Sequence, residues 1–276
     1  MLSILNNISA LAAENQLNIT TNAANKSLQQ LSSGSRINSG SDDAAGLAIA
    51  NGLNANVAAL NQSSQNVTDG VGLLQTADGA LSQITSLLNR AVTLATEASN
   101  STVSSTQDTA INTEYQSILT EINNISSTTN YNGQSIFGAS ASAAATFSIF
   151  TSDGTTTGQN AFTLSVADTS AAALTLTGNL STSGGAVTEL VNITAAISAV
   201  SAQRGTLGAN VEQLQAASAV DTTESQNLSS ASSSISSADI GATVANDTKY
   251  SVLEQTGISA LQQANQQSQT VLKLLQ

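Results

Sequence analysis

The 276-residue chain contains no cysteine, histidine, proline or tryptophan, only one methionine, and only three tyrosines and four phenylalanines. Each absence removes a class of chemistry. Without cysteine or histidine there is no disulfide, no thiol nucleophile, no Ser-His-Asp triad and no zinc site of the usual donors. Positive charge is scarce as well: six Lys+Arg stand against eighteen Asp+Glu, a formal net charge of −12. Six scattered cations cannot neutralise a run of phosphates, so a nucleic-acid partner is not expected. No run of 18 apolar residues occurs, so no membrane insertion is expected. The opening MLSILNNISALAAENQLN has no basic residue before Lys26, which argues against a secretory signal peptide.

What the chain does have is helical periodicity. Leu60, Val67, Leu74, Leu81, Leu88 and Ala95 recur every seven residues, with a companion series at Val57, Ser64, Val71, Ala77, Ile84 and Ala91. Alternating steps of three and four place both series on one narrow seam facing a neighbouring helix. Missing proline agrees with long uninterrupted helices, since an interior proline costs about 3 kcal/mol. A second seam runs through Ile111, Tyr115, Ile118, Ile122 and Ile125. A third runs from Ile193 through Ile197, Val200, Leu207, Val211 and Leu214 to Leu228, Ile235 and Ala242, interrupted by Arg204 and Asp221. Polar residues in such seams fix register at some cost in stability. The expected element is a rod.

Both ends are amide-rich, nearly uncharged and apolar on one stripe. Residues 1–33 carry Leu5 and Ile8, and residues 250–276 carry Leu253, Leu261, Leu272 and Leu275. A lone amphipathic helix of this kind has nothing to bury its stripe against, so these residues are expected to form an interface between copies of the chain. Between them, SSGSRINSGSDDAAG (32–46) is a break, with Ser39 and Asp42 at capping-box spacing for a helix start. Residues 132–185 read differently: 145–153 and 160–168 alternate like the strands of a hairpin, and 173–180 is a candidate third strand. Gly70, Gly72 and Gly79 lie inside the first seam, where close approach by a neighbouring helix or subunit would explain them. The expected fold is mainly α: long coiled-coil helices, a small central β-hairpin element, and the two terminal segments packed together.

Several blocks resemble one family. LQQLSSGSRINSGSDDAAGLAIA (28–50) and VTDGVGLLQTADGALSQITSLLNRA (67–91) resemble the N-terminal region of bacterial flagellins. AISAVSAQRGTLGANVEQL (196–214) and SVLEQTGISALQQANQQSQTVLKLLQ (251–276) are similar to the flagellin C-terminal region. The resemblance implies a structural subunit of the flagellar filament, self-assembling into a helical tube outside the cell, with no enzymatic activity and no cofactor. It implies that 1–33 and 250–276 form an inner-core domain. It further implies that 34–249 form an outer-tube rod with the insert at about 132–185, without large outer domains. It also implies export without signal cleavage, and as partners the flagellar cap, the junction proteins, an export chaperone and the export apparatus. Arg36, Asp42 and Asp43 match the loop between inner domain and rod, where charge pairs are expected to hold subunits in register. Arg90, Leu94 and Glu114 match a patch that an animal innate immune receptor recognises in many members, although Val92 and Thr93 replace a charged pair found beside it. Exposed central serines and threonines in such proteins are often glycosylated, and no site is assigned here.

The alternative within the same export system is a hook–filament junction protein. From other classes come a metal-dependent hydrolase using Asp42/Asp43, which finds no third ligand at recognisable spacing, and an exported coiled-coil effector that would stop at small oligomers.

Overall fold

The computed structural model describes residues 7–138, 144–153 and 161–274, the last four by backbone only. The elements in chain order are α1 (Ile8–Ser33), α2 (Ala44–Ala98), α3 (Ser105–Thr128), β1 (Asn130–Tyr131), β2 (Gln134–Ser135), β3 (Ala145–Phe150), β4 (Ala161–Val166), α4 (Ser183–Ser236) and α5 (Ile240–Leu274). The fold is mainly helical with small antiparallel hairpins, as the periodicity implies. The chain divides into two compact units. One joins its two ends, up to Ala55 and from Asn227, and the other is Asn56–Gln226.

In the central unit the predicted seam is the core. Leu74, Leu81, Leu88 and Ala95 are fully buried, as are Ala77, Ile84 and Ala91 of the companion series. Against them pack Ile111, Tyr115 and Ile122 of α3 and Ile193, Val200, Leu207 and Leu214 of α4. Ser104 and Gln107 form a reciprocal capping box at the start of α3. By length and composition α4 is the one described helix apolar enough to cross a membrane. Its Ile193, Ala196 and Val200 are instead buried in this core.

The two seam interruptions have partners across the helix pair. Arg204 on α4 makes a two-pronged ion pair with Asp78 on α2, at 2.7 and 3.2 Å. The buried Asp221 accepts a 2.5 Å hydrogen bond from Ser63. With Ser64–Ser218 and Ser225–Asn61 at 3.0 and 3.1 Å, they pin α4 antiparallel to α2 through paired polar groups. A polar group buried with its partner costs little, whereas one left alone costs about 1–3 kcal/mol, so a shifted register is penalised most at the buried Asp221–Ser63 rung.

β3 and β4 pair antiparallel in the register Ala145↔Val166 to Phe150↔Ala161. Their inward side chains, Ile149, Leu164 and Val166, join the core. The third strand at 173–180 does not form. Leu174, Leu176 and Leu180 do face the core, but Thr175 adopts a left-handed φ of 60° inside a turn. The backbone there bonds to asparagine side chains of α3: Ala171 N–H donates to Asn123 and Leu180 N–H to Asn112, each at 2.9 Å. Alternation reported burial correctly, but the N–H groups of Leu174, Thr175 and Leu176 bond back to Ser170, Ala172 and Ala171 in a local turn. A second hairpin, β1–β2, turns through Asn132–Gly133, with φ of 51° and 78°.

The glycines in α2 also differ from expectation. A methyl at Gly70 would strike Ile149 of β3, and one at Gly72 would lie 3.1 Å from the Tyr131 hydroxyl. Strand and hairpin side chains make the closest approach, with Leu214 of α4 also 3.5 Å from a methyl at Gly70. Around Gly79 there is open space.

Candidate functional site

The terminal unit is built on α1 and α5, the first and last elements of the chain, packed together. Half-buried or buried positions on α1 include Ala10, Ala13, Leu17, Thr20, Ala24, Ser27 and Leu31, spaced three and four apart, with Thr21, Ala23 and Gln30 half-buried beside them. The matching face of α5 is Thr243, Asp247, Tyr250, Glu254, Gly257, Leu261 and Ala264. Small residues dominate the α1 face, and Gly257 brings the helices close: a methyl there would lie 3.3 Å from Leu17. At the far end the Asn7 side-chain amide donates to Ala264 O at 3.0 Å. Asn7 also caps α1 by accepting from Ala10 N–H.

Several large aliphatic residues are on the other faces. Ile8 is 70% exposed, Leu11 59% and Ile19 62%, while Val252 is 55% exposed and Ile258 45%. Intramolecular pairing thus consumes the small-residue stripe and leaves a bulky apolar one uncovered. Of the residues the sequence singles out, Ile8 and Leu253 point away from the pair, and Leu261 is half-buried within it. Leu5 and Leu275 lie outside the described residues, as does the side chain of Leu272.

The break at 34–43 is a junction with specific internal bonds. Ser35 forms a β-bridge with Ser237. Arg36 N–H donates to Ser236 O at 2.7 Å, Ala238 N–H to Gly34 O at 3.0 Å, and the Arg36 guanidinium to Ile235 O at 2.9 Å. Lys26 pairs with Asp42 at 2.8 Å, and Asp42 also accepts from the N–H groups of Asn38 and Ser39 at 3.1 Å. The Lys26 ammonium first, and the Asn38 N–H next, hold its carboxyl down at about 2. Asp43 takes the N–H of Gly46 at 2.8 Å and starts α2 at Ala44. The helix therefore begins after the Ser39/Asp42 pair, whose carboxylate ties the loop instead of capping the helix. Arg36, Asp42 and Asp43 all find partners within their own chain. Lys26 gave no sequence signal for its role, because its partner is sixteen residues away through a turn.

In the central unit Arg90 and Glu114 bond each other at 2.6 Å, both about half exposed. Leu94 is 2% exposed and packs into the core. The three are near in sequence pattern, but only the two charged ones present their side chains to solvent. A group missed by sequence reading is Glu189, 1% exposed on α4. It accepts hydrogen bonds from the buried Tyr115 hydroxyl and from Asn192. Burial above all, and then the adjacent carboxylate, push the Tyr115 phenol far above its ordinary range. The available signal was the position of Glu189 four residues before Ile193, on the apolar face. Among the described residues no group of three or more acidic side chains is arranged to hold a metal ion.

Comparison with known proteins matches two family models, the bacterial flagellin N-terminal helical region over residues 4–142 and the C-terminal helical region over 190–275. Relatives match from end to end. The chain is 34% identical to a flagellin of Halalkalibacterium halodurans over 99% of both chains, and 34% identical to one of Listeria monocytogenes over 98% of both. A Bacillus subtilis flagellin is 33% identical over 99% of both. Among solved structures, the crystal structure of Bacillus cereus flagellin aligns with a TM-score of 0.51 and 29% identity, covering 61% of this chain and 94% of that one. The paired terminal helices, the seam-packed central unit and these end-to-end matches together place the chain in the bacterial flagellin family.

Proposed function

We infer that the chain is a structural, non-catalytic subunit of the flagellar filament, and that copies associate through the outer faces of α1 and α5. The observation that carries this reading is the division of labour on those helices. Their small residues pair within the chain, and Ile8, Leu11, Ile19, Leu253 and Ile258 are left uncovered. Each buried aliphatic side chain of this size is worth about 1.5–3 kcal/mol, so covering several of them with a second copy is strongly favourable. In this reading the terminal helices form the inner core of the tube and the intervening residues form its outer wall. Flagellar cap, junction proteins, export chaperone and export apparatus are the partners, and export proceeds without signal cleavage. Arg36, Asp42 and Asp43 then act by fixing the junction inside each subunit. An immune receptor engaging the Arg90 region would have to compete with Glu114 for that guanidinium, and would reach Leu94 only by opening the core.

Electron microscopy of the purified chain with short filament seeds tests the reading, beside a copy ending before Tyr250. Uniform long tubes from the full chain and none from the shortened one are expected. Tubes from both, or small closed oligomers from the full chain, would refute it.

A further inference from the structure

The sequence contains two Asn–Gly steps, at 51–52 and 132–133, and the fold treats them in opposite ways. Asn51–Gly52 lies in the interior of α2, where the Gly52 N–H belongs to the helix ladder and both backbone torsions are fixed. Asn132–Gly133 is the two-residue turn of the β1–β2 hairpin, and both residues are exposed. Their positive φ values are those of a type I′ turn, in which the only bond runs from the fourth residue to the first. Gly133 N–H is left out of that bond. Among the described residues nothing hydrogen-bonds the Asn132 side-chain amide. The two strands on either side are two residues each and offer the turn little support.

We propose that Asn132 is a site of spontaneous deamidation, selected by the fold over Asn51. In the step, the Gly133 backbone nitrogen loses its proton and attacks Asn132 Cγ. A C–N bond closes a five-membered succinimide and ammonia leaves with the side-chain nitrogen. Solvent water then opens the ring at either carbonyl, giving aspartate or isoaspartate, so the sum is asparagine plus water to acid plus ammonia. Glycine at 133 matters because no Cβ hinders the attacking nitrogen. The helix prevents the same attack at Gly52, since its nitrogen can reach Asn51 Cγ only after several ladder bonds open.

The product has a defined place. Asn132 lines a cleft formed with Asn66 and Asp69 of α2 and with Phe147 and Ile149 of β3. Conversion puts a second carboxylate on a wall that already carries Asp69. The isoaspartate form also lengthens the backbone of a two-residue turn, which disturbs the Tyr131↔Gln134 pairing and hence the Tyr131 contact on Gly72.

The test is ageing of the soluble full-length chain in mildly alkaline buffer, folded and in concentrated urea. Peptide mapping by mass spectrometry separates asparagine, aspartate and isoaspartate at both positions. In the folded chain Asn132 is expected to convert at least about tenfold faster than Asn51, because Asn51 must wait for helix opening. In urea, where no helix protects Asn51, the two rates should converge. Isoaspartate labelling by a methyltransferase should disappear from this peptide in Asn132→Gln, whose longer side chain closes the ring poorly. Persistent asparagine at 132, equal folded rates at the two sites, or a rate ratio unchanged by urea would each overturn the proposal.

Discussion

Replacing Tyr115 by phenylalanine removes one oxygen and no packing, which isolates the buried Tyr115–Glu189 contact. Tyr115 is fully buried and Glu189 is 1% exposed, so water cannot take the place of the lost hydroxyl. A buried acceptor stripped of its donor costs about 1–3 kcal/mol, with charged groups at the upper end. Glu189 retains Asn192 as a donor at 3.0 Å, which moderates the loss. About 2 kcal/mol is therefore expected, lowering the melting temperature of the central unit by about 4–8 °C for a domain of this size. The same change in a Glu189→Gln background removes only a neutral hydrogen bond and should cost about 1 kcal/mol. Urea melts followed by far-UV circular dichroism give both numbers, and backbone hydrogen exchange across α3 shows that the loss is local. Equal cost in the two backgrounds, or a Tyr115→Phe loss below about 0.5 kcal/mol, the level of an ordinary surface change, would refute the assignment of a buried charged acceptor.

The Asp42 carboxyl is held at about 2, below its ordinary 3.8, so its contribution is present above pH 4 and lost as pH falls towards 2. The Asn38 and Ser39 amide resonances should shift together with a midpoint near that lower value; a midpoint near 4 would show that the Lys26 contact does not persist in solution. Gly79→Ala and Gly205→Ala place a methyl in open space within helices and should each stabilise the monomer by up to about 1 kcal/mol. Gly70→Ala drives its methyl into Ile149 and should instead cost about 1–3 kcal/mol, a difference in sign that thermal melts read directly. Leu88→Ala, at a fully buried seam position, should cost about 2–5 kcal/mol. Val191→Ala on the same core-forming unit, at a residue 66% exposed, should stay within about 0.5 kcal/mol in the free monomer.

Which of these features a reader of the sequence could foresee depends on the range of the interaction behind it. The α2 seam is legible because burial at Leu74, Leu81 and Leu88 follows from spacing alone, whatever lies opposite. The failure at 173–180 has the opposite origin. Its alternation of apolar residues is real, but the segment closes a local turn on Ser170–Ala172, and that turn is anchored at its flanks by Asn112 and Asn123, some fifty to seventy residues earlier. The β1–β2 hairpin carried a local signal in Asn132–Gly133, and the capping box at Ser104/Gln107 did likewise. Terminal apolar residues were legible as an apolar stripe, and several of them are exposed in the folded chain. Which of them face outward could not be read, because that depends on a second stripe in which alanine, serine, threonine and polar residues mix with a few leucines and carry little hydrophobic signal. Arg204 and Asp221 were visible as interruptions, while their partners Asp78 and Ser63 are supplied only by the antiparallel pairing of two distant helices.

The pairing of α1 with α5 joins residues 257 apart, as in the bond from Asn7 to Ala264. Contacts between the two extremes of a chain carry the largest loop-closure entropy that the chain can impose. A chain interrupted at any point lacks one member of the pair, so its other terminal helix keeps a second uncovered face and remains marginal alone. The outer apolar stripe is thus displayed in fixed geometry only by a molecule that is complete from end to end. Such an arrangement inspects its own length: fragments from broken synthesis or proteolysis fail the fit before they can be built in.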